Sequence, residues 1–164
     1  MAMATWLQMV SEAEIAALRA NPPSINKLDK PAAESFRTYY FCSINYFVTG
    51  DAWGGGTDDP VGGMLSGFAS VECSTLENGS FNVVTPAQAA QVSQGLDKLD
   101  VDAIKAKVDD ADPDEIEEAE VDDFEILMEA DEPAGEVIVS EVQSLAKFYK
   151  DAANKQLGVV MYTT

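Results

Sequence analysis

The sequence contains no histidine and only two cysteines among its 164 residues. Without histidine, Ser-His-Asp triads, Cys-His pairs and histidine-ligated zinc sites are excluded, and two distant cysteines cannot form a zinc cage. Cys42 and Cys73 form neither a CxxC motif nor a disulfide framework, so we expect two buried, reduced thiols. We therefore expect a protein that is not an enzyme, with no catalytic residues, no cofactor and no metal site.

Long apolar runs and targeting signals are also lacking. No stretch approaches the ~20 apolar residues of a membrane helix. The first ten residues, MAMATWLQMV, lack the basic and apolar regions of a signal peptide. We expect a cytoplasmic protein without a membrane partner.

Positive charge is scarce. Ten Lys and Arg residues stand against 29 Asp and Glu residues, which gives a formal net charge of −19. Such a charge disfavours direct binding of nucleic acid or anionic lipid. The imbalance is concentrated between Asp109 and Glu132, where there are fourteen acids and no base. Residues 109–132 are called the acidic segment below.

The composition and the local sequence signals predict one α+β domain over residues 1–164. A chain with 46% hydrophobic residues can form an ordinary core. Local signals predict a strand at 5–10, a helix that begins at the capping box of Ser11 and Glu14, and a hairpin of strands around 68–73 and 80–84. Thr85-Pro86 and Asp100 predict the starts of two further helices. A long helix is expected over 136–156, ended by Gly158, and VVMYTT predicts a C-terminal strand.

The helical spacing of Phe36, Tyr40, Ile44 and Phe47 predicts a central helix that is capped by Asp29 and ends at Gly50. Taken together, these elements predict a small, mostly antiparallel sheet that contains the N- and C-terminal strands and is packed by several helices.

Five stretches resemble the YfbM-like family of small bacterial α+β proteins, which has no assigned function. They are LDK at 28–30, SINYFVTGD at 43–51, VGG at 61–63, VVTPAQAAQVSQGL at 83–96 and LAKFYKDAANKQLGVVMY at 145–162. The resemblance runs from one end of the chain to the other. It implies the family's fold and assigns no chemistry.

Two motifs resemble ligand-binding loops but lack essential residues. Gly54-Gly55-Gly56-Thr57-Asp58-Asp59 has no Walker lysine and does not complete G-x-G-x-x-G, so it is not expected to hold phosphate. Asp110-x-Asp112-x-Asp114 begins like a calcium loop, but Glu115 stands where glycine is needed and Val121 where a bidentate glutamate is needed. We expect a flexible or tightly turned loop at the first motif and no EF-hand at the second.

The acidic segment contains apolar residues with helical spacing. Ile116, Phe124, Leu127 and Met128 can gather on one side, which favours a folded acidic surface over a disordered tail. Such a surface either faces only water or binds a basic partner.

The functional hypothesis is an immunity protein. A rigid anionic surface can occupy the Lys- and Arg-rich cleft of a nuclease in place of phosphates, so we expect the chain to neutralise a cognate basic toxin, a secreted nuclease effector. The partner-binding candidates are Asp114, Glu117, Glu118, Asp122, Asp123, Phe124, Glu125 and Trp53.

Two alternatives remain open at this point. A DNA mimic or regulatory adaptor would use the same carboxylates on several basic proteins, whereas a small-molecule domain would use a pocket lined by the LDK and VGG stretches. The oligomeric state is not determined by the sequence.

Overall fold

The computed structural model describes residues 3–54 and 59–164, and its centre is a five-stranded antiparallel sheet with the order β2-β1-β5-β4-β3. The strands are β1 (Thr5–Val10), β2 (Ser35–Thr38), β3 (Ala69–Glu72), β4 (Ser80–Val84) and β5 (Gly158–Thr163). The first and last strands pair in the middle of the sheet, from Thr5 opposite Thr163 to Val10 opposite Gly158. The predicted α+β class, with an antiparallel sheet that includes both terminal strands, is confirmed.

Helices pack on both faces of this sheet. They are α1 (Glu12–Ala20), α2 (Phe41–Thr49), α3 (Pro86–Asp97), α4 (Val101–Asp109), α5 (Pro113–Glu118), α6 (Phe124–Met128) and α7 (Ala134–Asn154), with 3₁₀ turns at Pro22–Lys27, Ala32–Glu34 and Pro60–Gly63. Among the helices of residues 3–54 and 59–164, none is long and apolar enough to cross a membrane.

The two faces of the sheet carry separate cores, because successive side chains of a strand point to opposite sides. On the first face, Leu7, Met9, Val159 and Met161 belong to a large core with residues of α2, α3, α4 and α7. On the second face, Val10, Phe81, Val83 and Val160 belong to a smaller core with residues of α1 and the 3₁₀ turn Pro22–Lys27. Both central strands are therefore buried on both sides.

Helix starts with local cap signals lie where they were predicted. Ser11 accepts from the N–H of Glu14 at 3.1 Å, and the Glu14 carboxylate accepts from the N–H of Ser11 at 3.0 Å, which is a complete capping box. Thr85 and Gln88 form the same motif at α3, and Asp100 caps α4. These boundaries depend on residues within one turn of each other.

The predicted central helix is wrong in its first half. Residues 35–38 form β2, paired with β1 from Thr38 opposite Thr5 to Ser35 opposite Gln8, and Asp29 is exposed outside any helix. The backbone hydrogen bonds that β1 offers at its free edge outweigh the helical spacing of Phe36 and Tyr40. The helix begins only at Phe41, and it ends at Gly50 as predicted, with φ of +86°.

The acidic segment folds as two short helices, α5 and α6, separated by a turn in which Glu120 has the left-handed φ of +56°. The N–H of Val121 donates to the carbonyl of Ile116, and the N–H of Glu120 to that of Glu117, as in a Schellman motif. Ile116 and Leu127 are buried as predicted, but Met128 is exposed. Met128 is the last residue of the five-residue helix α6 and is 60% exposed.

Gly158 does not end helix α7, contrary to the prediction. The C-terminus of the helix is a Schellman motif with Gln156 at φ of +57°, and the N–H of Leu157 donates to the carbonyl of Ala152 at 2.9 Å. Gly158 instead begins β5, where a Cβ would lie 2.4 Å from the carbonyl oxygen of Val84. The glycine is needed for close approach of two strands rather than for the helix end.

The predicted hairpin is present, with Gly79 at φ of +75° before β4. Part of the predicted glycine-rich turn, residues 55–58, lies outside the described residues. On its two sides the chain forms a turn at Asp51–Gly54 and the 3₁₀ turn Pro60–Gly63.

Candidate functional site

The acidic segment lies along α2, close to both ends of that helix. Asp112, Glu115 and Ile116 line a cavity together with residues 46–50, at the C-terminal end of α2. At the other end, the Asp123 carboxylate accepts hydrogen bonds from the N–H of Cys42 at 2.7 Å and of Ser43 at 2.8 Å. The segment is therefore part of the folded domain, as predicted.

Most carboxylates of the segment face solvent. The exposed ones are Asp109, Asp110, Asp112, Asp114, Glu115, Glu117, Glu118, Glu120, Asp122, Glu125, Glu129, Asp131 and Glu132. Within residues 3–54 and 59–164, the segment makes one ion pair, between Asp109 and Lys105 at 2.7 Å. From Asp112 onwards, the described part of the chain supplies no cation to these side chains.

Asp123 is the exception, since it is only 8% exposed. Its carboxylate also accepts a hydrogen bond from the Ser43 hydroxyl, and α2 has no side-chain cap from its own N-cap residue, Tyr40. Asp123 therefore caps the N-terminus of α2, a role that usually belongs to the N-cap residue of the helix itself. Its negative charge lies at the positive end of the helix dipole. Burial raises the pKa of Asp123 above its ordinary value, against the effect of these hydrogen bonds.

Asp123 was predicted among the residues that bind a partner. Its carboxylate is engaged in three hydrogen bonds from α2, and the residue also borders a cavity with Trp53 and Asp122. Phe124 is partly buried, with its ring 6.2 Å from that of Phe47. Asp114, Glu117, Glu118, Asp122 and Glu125 are exposed, as the hypothesis requires.

A groove is open at the end of the first sheet face, beside α6. It consists of two adjacent cavities of about 300 Å³ and 260 Å³, which share Thr5, Phe41, Trp53, Asn78 and Thr163 in their walls. We call it the Trp53 groove. The indole of Trp53 is 55% exposed and lies 6.3 Å from the ring of Phe41.

The two ends of the Trp53 groove differ in chemistry. The larger cavity is also bordered by Met3, Tyr39, Asp122 and Ile126, which combine apolar surface with an exposed carboxylate. The smaller cavity is bordered by neutral polar groups that include Ser66, Ser80 and Asn82. Trp53 and Asp122, which are 69 positions apart in the sequence, therefore line one site.

Arg37 lies beside this region, and its guanidinium packs against two aromatic rings. Its guanidinium is 5.0 Å from the centre of the Trp6 ring and 5.2 Å from that of Tyr39. Both distances are within the range of cation–π attraction. Trp6 and Arg37 are directly opposite on β1 and β2, so the sheet register brings them together.

Cys42 contributes to the wall of the larger cavity. Burial, reinforced by the nearby charge of Asp123, raises the pKa of its thiol to about 11. A thiol with that pKa is almost wholly protonated at neutral pH and is a poor nucleophile. Both cysteines are free and buried, which confirms the expectation from the sequence.

The pocket postulated from LDK and VGG is not formed. Leu28 packs against the core on the second sheet face and Lys30 pairs with Glu14 at 2.7 Å, whereas Val61 belongs to the core on the first face. The two stretches lie on opposite sides of the sheet. Among the described residues, no three His, Cys, Asp or Glu side chains are grouped so that they could hold a metal ion.

Tyr39, Phe41, Met3 and Asn78 line the groove but were not predicted from the sequence. Tyr39 and Phe41 lie two positions apart at the junction of β2 and α2, but Met3 and Asn78 come from other segments, so no spacing links all four. Trp53 is the aromatic residue of the groove that the sequence had already indicated as a candidate for partner binding.

A family model described as "Domain of unknown function (DUF1877)" matches residues 1–162. The chain belongs to the DUF1877 family. Among solved structures, this DUF1877 chain is similar to the crystal structure of YfbM, a protein of unknown function from Escherichia coli. That match has a TM-score of 0.69 at 13% identity and covers 98% of this chain and 99% of YfbM. The YfbM-like resemblance and the fold are thereby confirmed, while none of the curated proteins matches the chain.

Proposed function

We propose that this protein is an immunity protein, which binds a cognate basic toxin in the cytoplasm and blocks it through the acidic segment. The observation that carries the proposal is the row of exposed carboxylates from Asp112 to Glu132, which are held on folded helices and lack cations of their own among the described residues. The expected toxin is a nuclease effector, because a nuclease must present a positive cleft to its substrate.

Folding of the segment favours binding. Ile116 and Leu127 anchor α5 and α6 in the core, so a partner meets carboxylates that are already placed. A disordered acidic tail would lose conformational entropy on binding, and a preorganised surface avoids much of that cost. Complementary charge also speeds association, since it steers the partner before contact.

Charge alone is a weak anchor, because exposed ion pairs contribute at most about 1 kcal/mol each. Tight interfaces contain buried aromatic or arginine side chains near their centre. The Trp53 groove offers such a centre, since its wall includes Asp122 of the acidic segment. The proposed interface therefore extends from α5 and α6 to the groove.

A regulatory adaptor that binds several basic proteins would use the same carboxylates. The two functions differ in specificity, because an immunity protein must bind one toxin far more tightly than other basic proteins. A small-molecule domain is a further candidate, and the concave shape of the Trp53 groove is the observation that favours it.

The test is co-expression with a candidate toxin encoded beside this gene. We expect growth to be rescued, and the purified protein to form a complex with a catalytically inactive form of that toxin at both low and moderate salt. If growth is not rescued and no complex forms at either salt concentration, the immunity proposal is wrong. Equal binding to unrelated basic proteins would favour the adaptor.

A further inference from the structure

We infer that the Trp53 groove is a binding site for an arginine side chain of the partner, with Asp122 as its counter-ion. The inference rests on the proposed function and names the contact at the centre of that interface. It follows from three observations: a fixed aromatic surface, an adjacent carboxylate and the sign of the surrounding charge.

The aromatic surface is held in place by the loop that carries it. The backbone N–H of Trp53 donates to Oδ1 of Asp51 at 2.9 Å, and the Ser66 hydroxyl donates to the carbonyl of Trp53 at 2.7 Å. The segment before Ser66 is in turn tied to α7, because the buried Tyr149 hydroxyl donates to the carbonyl of Met64 at 2.6 Å. The indole is therefore presented to solvent from a braced backbone.

The carboxylate is available. Asp122 is exposed, and no hydrogen bond or ion pair of its side chain is formed within residues 3–54 and 59–164. Its neighbour Asp123 is engaged with Cys42 and Ser43, so the turn between α5 and α6 is anchored on one side and open on the other. A carboxylate next to an aromatic face binds a cation that also has a flat apolar surface.

Arginine meets both requirements better than lysine. Its planar guanidinium stacks on aromatic rings, pairs with a carboxylate through two parallel hydrogen bonds and is weakly hydrated. The chain's own Arg37 already lies against Trp6 and Tyr39, and Tyr39 borders the groove. An anionic occupant is disfavoured by Asp122 and by the rest of the acidic segment.

The position of the groove makes the arginine a partner's residue. Asp122 and Ile126, which border the groove, belong to the acidic segment. A basic protein docked on α5 and α6 would therefore extend over the groove and could place one arginine inside it. Such an arginine would be surrounded by other contacts that exclude water, as is typical of interface hot spots.

The experiment titrates the full-length protein with an acetyl-Gly-Arg-Gly-amide peptide and follows the two indole N–H signals by NMR. The salt concentration is about 0.15 M, where the Debye length is ~8 Å and distant carboxylates are screened. Matched peptides carry lysine or the neutral isostere citrulline in place of arginine. The Trp6 indole is the internal reference, because Trp6 alternates with Leu7 and therefore points to the second face of the sheet, where its N–H donates to the Thr164 hydroxyl.

We expect a saturable shift of the Trp53 signal with the arginine peptide and a much weaker one with the other two. The indole N–H signal that is lost in the Trp53→Phe variant is assigned to Trp53. Asp122→Asn should weaken binding by about tenfold, because a charge-assisted pair is lost. Asp97→Asn, which removes an exposed charge outside both the groove and the acidic segment, should leave binding unchanged. A shift that does not saturate, an equal response to citrulline or lysine, or an Asp122→Asn variant that binds as the parent does would overturn the inference.

The outcome is separable from that of the proposed function. If a toxin complex forms but keeps its affinity when Trp53 is changed to Ala, the groove inference fails and the immunity proposal stands. If the arginine peptide binds as expected but no toxin complex forms, the groove binds arginine and the immunity proposal fails.

Discussion

Asp123 and Ser43 are 80 positions apart, yet the Asp123 carboxylate accepts hydrogen bonds from both the backbone N–H and the hydroxyl of Ser43. Together with the hydrogen bond from Cys42, this contact provides an acceptor for two backbone N–H groups in the first turn of α2. It also attaches the acidic segment to the central helix of the domain. Asp123 thus fixes the turn between α5 and α6, which carry the exposed acids, to the N-terminus of α2.

Replacing Asp123 with Ala should therefore destabilise the fold. We expect a loss of about 2–3 kcal/mol in the free energy of unfolding, because a helix cap is removed and buried N–H groups lose their acceptor. Asp123→Asn keeps one acceptor and should lose less. Chemical denaturation measures the change, and Asp122→Ala, at the exposed neighbour, should stay within about 0.5 kcal/mol of the parent. An Asp123→Ala midpoint equal to that of Asp122→Ala would contradict the capping role.

Stability should increase as the pH falls from neutrality towards the ordinary pKa values of Glu141 and Asp123. Burial raises the pKa of Glu141 above its ordinary value of 4.5 and that of Asp123 above 3.8. Between the unfolded and folded pKa values the folded state binds more protons, so lowering the pH through that window favours folding. Thermal unfolding at constant ionic strength tests this, and Glu141→Gln should flatten the profile. A Tm that falls steadily over the same range would refute the assignment.

Two left-handed residues should be improved by glycine. Glu120 and Gln156 have φ of +56° and +57°, a conformation that costs a residue with a Cβ about 1 kcal/mol more than glycine. We expect Gln156→Gly to gain about 0.5–1 kcal/mol, reduced by the greater entropy of the unfolded chain. Glu120→Gly should gain at least as much, because it also removes a negative charge from the C-terminus of α5. Ala119→Gly, at an ordinary helical φ of −80°, is the control and should not stabilise.

Reversing charges on the acidic segment should slow association with the proposed toxin without unfolding the protein. Glu117, Glu118, Asp122 and Glu125 are exposed, and none of their side chains forms an ion pair in the described part of the chain. Changing all four to Lys takes the net charge from −19 to −11, since each change adds two. Because steering depends on local charge, we expect the association rate to fall by about tenfold or more.

The control for this variant carries the same net charge. Asp29, Glu72, Glu77 and Asp97 are also exposed but lie outside the acidic segment. Changing these four to Lys should reduce the association rate much less. Stopped-flow kinetics with the candidate toxin distinguishes the two variants, and equal rates would place the interface elsewhere.

The elements that were predicted correctly have local causes. The capping boxes at Ser11 and Thr85 and the cap at Asp100 each involve residues within a few positions of one another. The sequence also indicated correctly that the acidic segment folds, because Ile116 and Leu127 must be buried. Net charge follows from the composition alone and needs no structure.

The errors and omissions have long-range causes. Helix α2 lacks a cap of its own, so its start at Phe41 depends on Asp123, and nothing near Tyr40 marks it. Residues 35–38 fit both a helix and a strand, and pairing with the edge of β1 decided for the strand.

The sequence by itself therefore determined the α+β class, the capped helices and the strongly anionic character of the chain. Only the tertiary structure decided which carboxylate is buried and which aromatic residues surround a groove. The physical reason is that caps and periodicity act within a few residues. The Asp123 cap and the Trp53 groove instead join segments that meet only when the sheet and its helices are assembled.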